Sequence, residues 1–255
     1  MIQQAYAKVN IFLKIVGKRG EYHELVSRFM RVENLFDTLV FAPKKTQEVF
    51  ELRGDFDCPL EKNTIFRAYQ ALKQNGFAKK VDDFFSHYAL HVEKKIPTFA
   101  GLGGGSSDAA TFLNMTNKNA QLGLSVEQLA NIGSKVGADV PFFVYDFSSA
   151  NVSGIGEKVV LFDEEPLDLE VVTPSVFCDT KDVYRAFREH FYNTDEALAK
   201  SMEEMSSKEL LQTFTCRELN DLFEPCEMLH EDIKTYSKEG WFFSGSGSSF
   251  FRIRN

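Results

Sequence analysis

Cysteine is scarce in this sequence. The four residues, Cys58, Cys178, Cys216 and Cys226, are widely spread and form no Cys-x-x-Cys pair, which argues against a zinc knuckle or a dithiol redox centre. Long apolar runs are missing too. None reaches about 18 residues, so no membrane-spanning helix is expected. The start, Met1-Ile2-Gln3-Gln4, lacks the basic segment and apolar stretch of a secretory signal, and the expected compartment is the cytoplasm. Lys/Arg clusters are also lacking, and a formal net charge of −8 argues against a nucleic-acid surface. Internal repeats and low-complexity tracts are absent. Phenylalanine alone is plentiful, and its 25 copies read as core filler.

One more absence shapes the functional reading. No lysine lies between Leu102 and Ala110 in Pro97-Thr98-Phe99-Ala100-Gly101-Leu102-Gly103-Gly104-Gly105-Ser106-Ser107-Asp108-Ala109-Ala110, which excludes a P-loop. Counted from Gly101, the third glycine of a dinucleotide fingerprint would fall on Ser106, so that motif fails as well. Upstream, Tyr88, Leu90 and Val92 alternate with Ala89, His91 and Glu93 as in a strand; downstream, Ala109, Ala110, Phe112 and Leu113 share a helical face. Glycines between a strand and a helix let backbone N–H groups turn inward, where the helix start adds partial positive charge. Ser106 and Ser107 are suitable N-cap types there. This geometry suits a polyphosphate, against the alternative of a plain capped connection.

Along the chain, Ala5 to Val16 alternates as a strand with Val9, Ile11, Leu13 and Ile15 on one face. Gly17 to Glu21 reads as a turn, and Phe36 to Phe41 as another strand. A helix is expected from Asn63, with Ile65, Ala68, Tyr69 and Leu72 on one side and Gly76 past its end. Ser125-Val126-Glu127-Gln128 has the capping-box form. Gly137-Ala138-Asp139-Val140-Pro141 sets one carboxylate before an apolar run. Asp139 is a candidate for orienting and deprotonating an acceptor hydroxyl; the alternative is a helix cap. Composition loosens around residues 146 to 154, so two domains are expected, 1–150 and 151–255. The second carries strands near 156–161 and 169–174, then helical periodicity over 182–233. The end, Trp241 to Phe251, is two apolar runs around Ser244-Gly245-Ser246-Gly247, either a hairpin or a ligand-facing loop.

Four of these segments, Ala7-Lys8-Val9-Asn10, Pro97 to Ala110, Gly137 to Pro141 and Ser244 to Gly247, together resemble the GHMP small-molecule kinases. Asn63, Gly154-Ile155-Gly156-Glu157 and Asn220-Asp221-Leu222 fit the same pattern. The sequence departs from it at Gly20-Glu21-Tyr22-His23, which is a residue shorter than usual, at Thr98-Phe99-Ala100, where more glycine is common, and at Asp108, where some relatives have Asn. The resemblance implies an α+β fold of two domains, the first ribosomal-protein S5 domain 2-like and the second ferredoxin-like. It implies an ATP-dependent kinase with donor contacts at Pro97, Gly101, Leu102, Gly103, Gly104, Gly105, Ser106 and Ser107, and Asn63 near the adenine. Lys8, which alone reads as a snorkelling surface residue, is implied as the catalytic cation beside Asp139, with Asn10 on the acceptor. Tyr22, His23 and Tyr184, otherwise ordinary aromatics, are implied to clamp a cytosine ring. That narrows the acceptor to a cytidine diphosphate ester of a branched polyol. Mg²⁺ should accompany ATP, held mainly by phosphates and water. The alternatives are a sister kinase for homoserine, mevalonate or a sugar, and a non-catalytic nucleotide-binding protein on the same fold.

Overall fold

A computed structural model describes residues 1–254. The elements are β1 (Ile2–Arg19), β2 (Tyr22–Pro43), β3 (Leu52–Arg53), α1 (Thr64–Leu72), α2 (Ala78–His87), β4 (Tyr88–Glu93), α3 (Gly104–Asn119), α4 (Val126–Ser134), α5 (Val140–Tyr145), β5 (Ser149–Gly154), β6 (Lys158–Leu161), β7 (Leu169–Val172), α6 (Thr180–Ala186), α7 (Glu196–Glu204), α8 (Ser207–Thr213), α9 (Cys216–Leu219), α10 (Phe223–Leu229), β8 (Phe242–Phe243) and β9 (Phe250–Ile253). They form two compact units, each discontinuous in sequence. The first comprises Met1–Ala7, Leu35–Ile96 and Gly104–Asp146; the second comprises Lys8–Asn34, Pro97–Gly103 and Phe147–Asn255. The chain passes from first to second for the last time at Asp146–Phe147. The earlier crossings fall inside β1, inside β2 and at the two ends of Pro97–Gly103, where composition gives no sign of them.

In the first unit β4 lies antiparallel to the end of β2, with Thr38 opposite Glu93, and β3 lies parallel to β4. Helices α1, α3, α4 and α5 pack with them around Phe41, Phe50, Tyr69, Phe85 and Phe112. Phe50 stacks on Tyr69 at 4.4 Å and Phe85 on Phe112 at 5.5 Å, so the phenylalanines do fill the core. Asn63 opens α1 by accepting from the Ile65 N–H, and Ile65, Ala68, Tyr69 and Leu72 are buried as their spacing predicts. The helical path does not end before Gly76. It kinks there, with Gly76 at φ +93°, and continues into α2. A glycine supplies that left-handed turn without a Cβ clash. The Ser125–Gln128 capping box is formed.

In the second unit β5 lies antiparallel to β2 over Leu25–Met30, and β6 pairs with β5. A separate sheet has the order β7-β9-β8. The two terminal apolar runs are the strands of a hairpin, with Phe243 opposite Phe250. In its loop Ser244, Ser246, Ser248 and Ser249 are all buried. Leu13, Ile15, Val183, Phe187, Phe223, Phe243 and Phe250 share one core cluster. Asn220 and Asp221 pin this unit internally. The Asn220 side chain donates to the carbonyls of Phe243 and Gly245, while Asp221 pairs with Lys14 and accepts from the Ile15 N–H. Cys178 and Cys226, 48 positions apart, lie with their sulfurs 3.0 Å from each other in the same core.

Candidate active site

The expected phosphate cradle is the first turn of α3. The helix starts at Gly104 rather than at the serines, so Ser106 and Ser107 lie inside its first turn and are not N-caps. Glycines adopt helical angles as readily as turn angles, and here they extend the helix backwards. The first four N–H groups of an α-helix have no partner within it, and these belong to Gly104, Gly105, Ser106 and Ser107. Gly105 is exposed, whereas Ser107 is buried. The Thr64 hydroxyl donates to the Gly105 carbonyl at 2.7 Å and ties α1 to this turn. A Cβ on Gly104 would lie 2.9 Å from Ile96 Cγ2 and 3.7 Å from Lys94 Nζ. Gly104 is thus required by packing inside the protein.

Lys94 is the residue that sequence reasoning missed. Its ammonium pairs with both Asp37 and Asp108, at 2.6 Å in the latter case. Asp37 also accepts from the Lys95 and Ile96 N–H groups. Burial alone would discharge Lys94; the two carboxylates outweigh it and hold the ammonium above its ordinary range. Asp108 responds in the opposite sense. Burial pushes it up to about 7 against the pull of Lys94, and its Oδ1 is buried without a hydrogen-bond partner. In sequence, Lys94-Lys95 reads as a solvated strand end.

In the second unit Lys8 is not a surface residue: it is 3 % exposed. Its ammonium donates to Asn10 Oδ1 at 2.6 Å and to the Gly101 carbonyl at 3.3 Å, and lies 4.4 Å from the centre of the Phe29 ring. Asn10 in turn donates through Nδ2 to the Ser27 hydroxyl. Gly101 and Leu102 form the floor of this arrangement. The Leu102 carbonyl accepts from the Lys8 N–H at 2.9 Å, and the Ser244 hydroxyl donates to the Gly101 carbonyl at 2.9 Å. A Cβ on Gly101 would come within 2.1 Å of the Ser244 carbonyl, and φ is +73° there and +71° at Gly103, so both positions require glycine. Pro97 is exposed at the start of this segment.

The three expected cytosine-reading aromatics also lie in the second unit. His23 is buried and stacks on Tyr184 at 5.2 Å, while Tyr22 is 64 % exposed. Phe187 meets the imidazole edge-on at 5.9 Å. Burial, reinforced by the Arg188 and Lys18 charges, lowers the His23 pKa and keeps the ring neutral near pH 7. Its Nε2 is buried without a partner. The short turn before Tyr22 is held by Arg188, which donates to the Glu21 carbonyl at 2.8 Å. Arg188 stands four residues after Tyr184 on the same helical stretch, a spacing that marks neighbouring side chains and would have found it.

Asp139 precedes α5 but its side chain makes no capping hydrogen bond to that helix, which removes the capping alternative. Asn63 does cap α1, so its side-chain oxygen already has a structural role. A cavity of about 350 Å³ in the first unit is lined by Arg67, Gln70 and Lys135 among others, and by none of the predicted residues.

These features define a class, and comparison with known proteins agrees. Residues 63–147 match the family model described as GHMP kinases N terminal domain. A mevalonate kinase structure covers the whole chain with a TM-score of 0.61 at 14 % identity, which is likeness of fold alone. The fold is therefore α+β and that of the GHMP kinases. Within that class, a 4-diphosphocytidyl-2-C-methyl-D-erythritol kinase of Sulfurimonas denitrificans is 54 % identical over 99 % of this chain and 97 % of its own length. The enzyme of the same name from Helicobacter pylori is 43 % identical over 99 % and 94 %. A crystal structure of 4-(cytidine 5′-diphospho)-2C-methyl-D-erythritol kinase superposes with a TM-score of 0.76 at 28 % identity, covering 100 % of this chain and 90 % of the other. The chain belongs to the 4-diphosphocytidyl-2-C-methyl-D-erythritol kinase family. It is an ATP-dependent small-molecule kinase, and among the described residues no helix is long and apolar enough to cross a membrane.

Proposed function

We propose that this kinase transfers the γ-phosphoryl group of ATP to the 2-hydroxyl of 4-diphosphocytidyl-2-C-methyl-D-erythritol, a step of non-mevalonate isoprenoid precursor synthesis, in the cytoplasm. The observation that carries the acceptor assignment is the neutral, buried His23 stacked on Tyr184 with an unpartnered Nε2. A flat base whose edge must be read needs a ring beside it and a hydrogen-bonding group at its rim, and a neutral imidazole offers one donor and one acceptor. Homoserine and mevalonate carry no such base.

Phosphoryl transfer depends mainly on positioning and charge stabilisation. The amides of Gly104 to Ser107 at the start of α3 receive the donor phosphates, and Lys94 contributes positive charge beside Gly104. Mg²⁺ bound with the nucleotide would be held mainly by the phosphates and water and would offset phosphate charge. Asp139 takes the proton of the acceptor hydroxyl as its oxygen forms the bond to the γ-phosphorus and the bond to ADP breaks. Lys8, held by Asn10 and the Gly101 carbonyl, supplies the cation for charge developing on the acceptor side. The test is turnover with Mg-ATP and a panel of acceptors, followed by product mass. The cytidyl ester should gain one phosphate group while homoserine and mevalonate do not. Preference for either small acceptor would transfer the chain to a sister activity, and ATP binding without any product would favour a non-catalytic role.

A further inference from the structure

Two exposed phenylalanines of the second unit have no part in the account above. Phe99 is 53 % exposed and Phe177 is 59 % exposed, yet their rings pack on each other with centroids 4.6 Å apart. Phe99 also sits at φ +53°. For a bulky side chain the left-handed region costs about 1–2 kcal/mol, and so much remaining exposure recovers little of that by burial. Such outliers persist where the surrounding structure imposes them, and they concentrate at ligand-contacting positions. The imposing contacts are identifiable. The Ala100 carbonyl accepts from the Ser249 N–H, and the Gly101 carbonyl accepts from Ser244 and Lys8. Two residues span at most about 7 Å, so the Phe99 backbone stays next to the carbonyl that holds the Lys8 ammonium. Phe177 belongs to the segment that leads into α6. It immediately precedes the buried Cys178, and three residues on is Thr180, which opens α6 and meets the Ser246 hydroxyl at 2.8 Å. Tyr184 is the fifth residue of that helix. The pair therefore connects the segment that positions Lys8 to the segment that positions the ring stacked on His23.

We propose that Phe99 and Phe177 form an aromatic wall for the branched polyol of the acceptor, packing on its methyl and C–H face and keeping water from the hydroxyl that is phosphorylated. This rests on the acceptor assignment proposed above. A polyol joined to cytidine diphosphate must extend from the base-reading rings towards Lys8, and the pair lies on the chain segments of the second unit that hold Lys8 and Tyr184. Aromatic faces suit C–H groups and a methyl, and they exclude water without competing for hydroxyl hydrogen bonds.

The experiment compares Phe99→Gly, Phe177→Ala and Phe177→Tyr with wild type for KM of each substrate and for ATP hydrolysed per acceptor phosphorylated. Phe99→Gly removes a ring while suiting the positive φ, so it should fold at least as well as wild type. Phe99→Gly and Phe177→Ala should each raise the acceptor KM about five- to twentyfold, keep the ATP KM within twofold and increase uncoupled ATP hydrolysis, with Phe177→Tyr close to wild type. An unchanged acceptor KM in either folded ring-removing variant overturns the wall, and so does an equal rise in both KM values. Wild type that turns over the cytidyl ester poorly but another acceptor well would overturn the substrate assignment, and the wall with it.

Discussion

In the first unit, the turn that begins α3 is built from groups that already satisfy one another. Lys94 lies between Asp37 and Asp108, Thr64 holds the Gly105 carbonyl, and Ile96 fills the space that a Cβ on Gly104 would need. In the second unit, the residues assigned to the acceptor leave surface and polar atoms uncovered. Tyr22, Phe99 and Phe177 are more than half exposed, and His23 Nε2 has no partner. The difference is chemical. A polyphosphate is bound by fixed amides and charges, which work best when held before it arrives. A base and a branched carbon skeleton are bound by covering apolar rings, which stay open until the ligand covers them. Donor-side substitutions should therefore disturb folding as well as binding, and acceptor-side ones mainly binding. Gly104→Val illustrates the first class: it would clash with Ile96 before any phosphate is met.

The strongest test of this contrast is Asp139, a residue of the first unit that is assigned to the acceptor hydroxyl. Asp139→Asn keeps size and removes the base, and the carboxylate it replaces makes no capping bond to α5. Turnover should fall by about 10²–10⁴ with the KM of both substrates nearly unchanged. Lys8→Met should also lower turnover, since it removes the cation proposed for the acceptor side. Near-normal turnover in Asp139→Asn would end the assignment of the base.

Asp139 stands out in the sequence because one acid before an apolar run is conspicuous. The same holds for local signals generally: Asn63 and Ser125 cap the helices they precede, and Tyr88 to Glu93 forms the expected strand. What could not be read depends on distance along the chain. Lys94 takes its meaning from Asp37, 57 positions earlier, and from Asp108, 14 later. Cys178 and Cys226 meet across 48 positions without any motif. β1 and β2 were underestimated for another reason. Alternation marks a strand with one wet face, whereas Ala7 to Ile15 is buried on both. Lys8 and Asn10 therefore look like surface residues in the sequence and are buried polar ones in the fold.

A smaller effect is expected on the acceptor side, where Tyr184→Ala removes the ring stacked on His23. Stacking on a base is worth about 1–3 kcal/mol, so kcat/KM for the cytidyl ester should fall roughly ten- to a hundredfold. The ATP KM should hold within twofold, and thermal stability should change less than for a core ring, because Tyr184 is only half-buried. A matching loss toward ATP would erase the contrast between the two units.

The smallest effect sharpens the donor side. Asp108 is buried beside Lys94 and Asp37, and its pKa is pushed up to about 7 from 3.8. The folded protein thus binds this proton more tightly than the unfolded chain. Between those two values the native state holds more protons, so stability declines as pH rises and levels off above about 7. Asparagine has the shape of the neutral acid and no proton to lose, so Asp108→Asn removes that slope. Melting temperature should therefore be compared for the two proteins from pH 5 to pH 8. The variant should gain on wild type as pH rises towards 7 and run parallel to it above that. Parallel curves would mean that Asp108 is already ionised throughout, with Lys94 fully compensating its burial. A variant losing ground with rising pH would mean that the Lys94 pair stabilises the ionised acid, reversing the assigned direction.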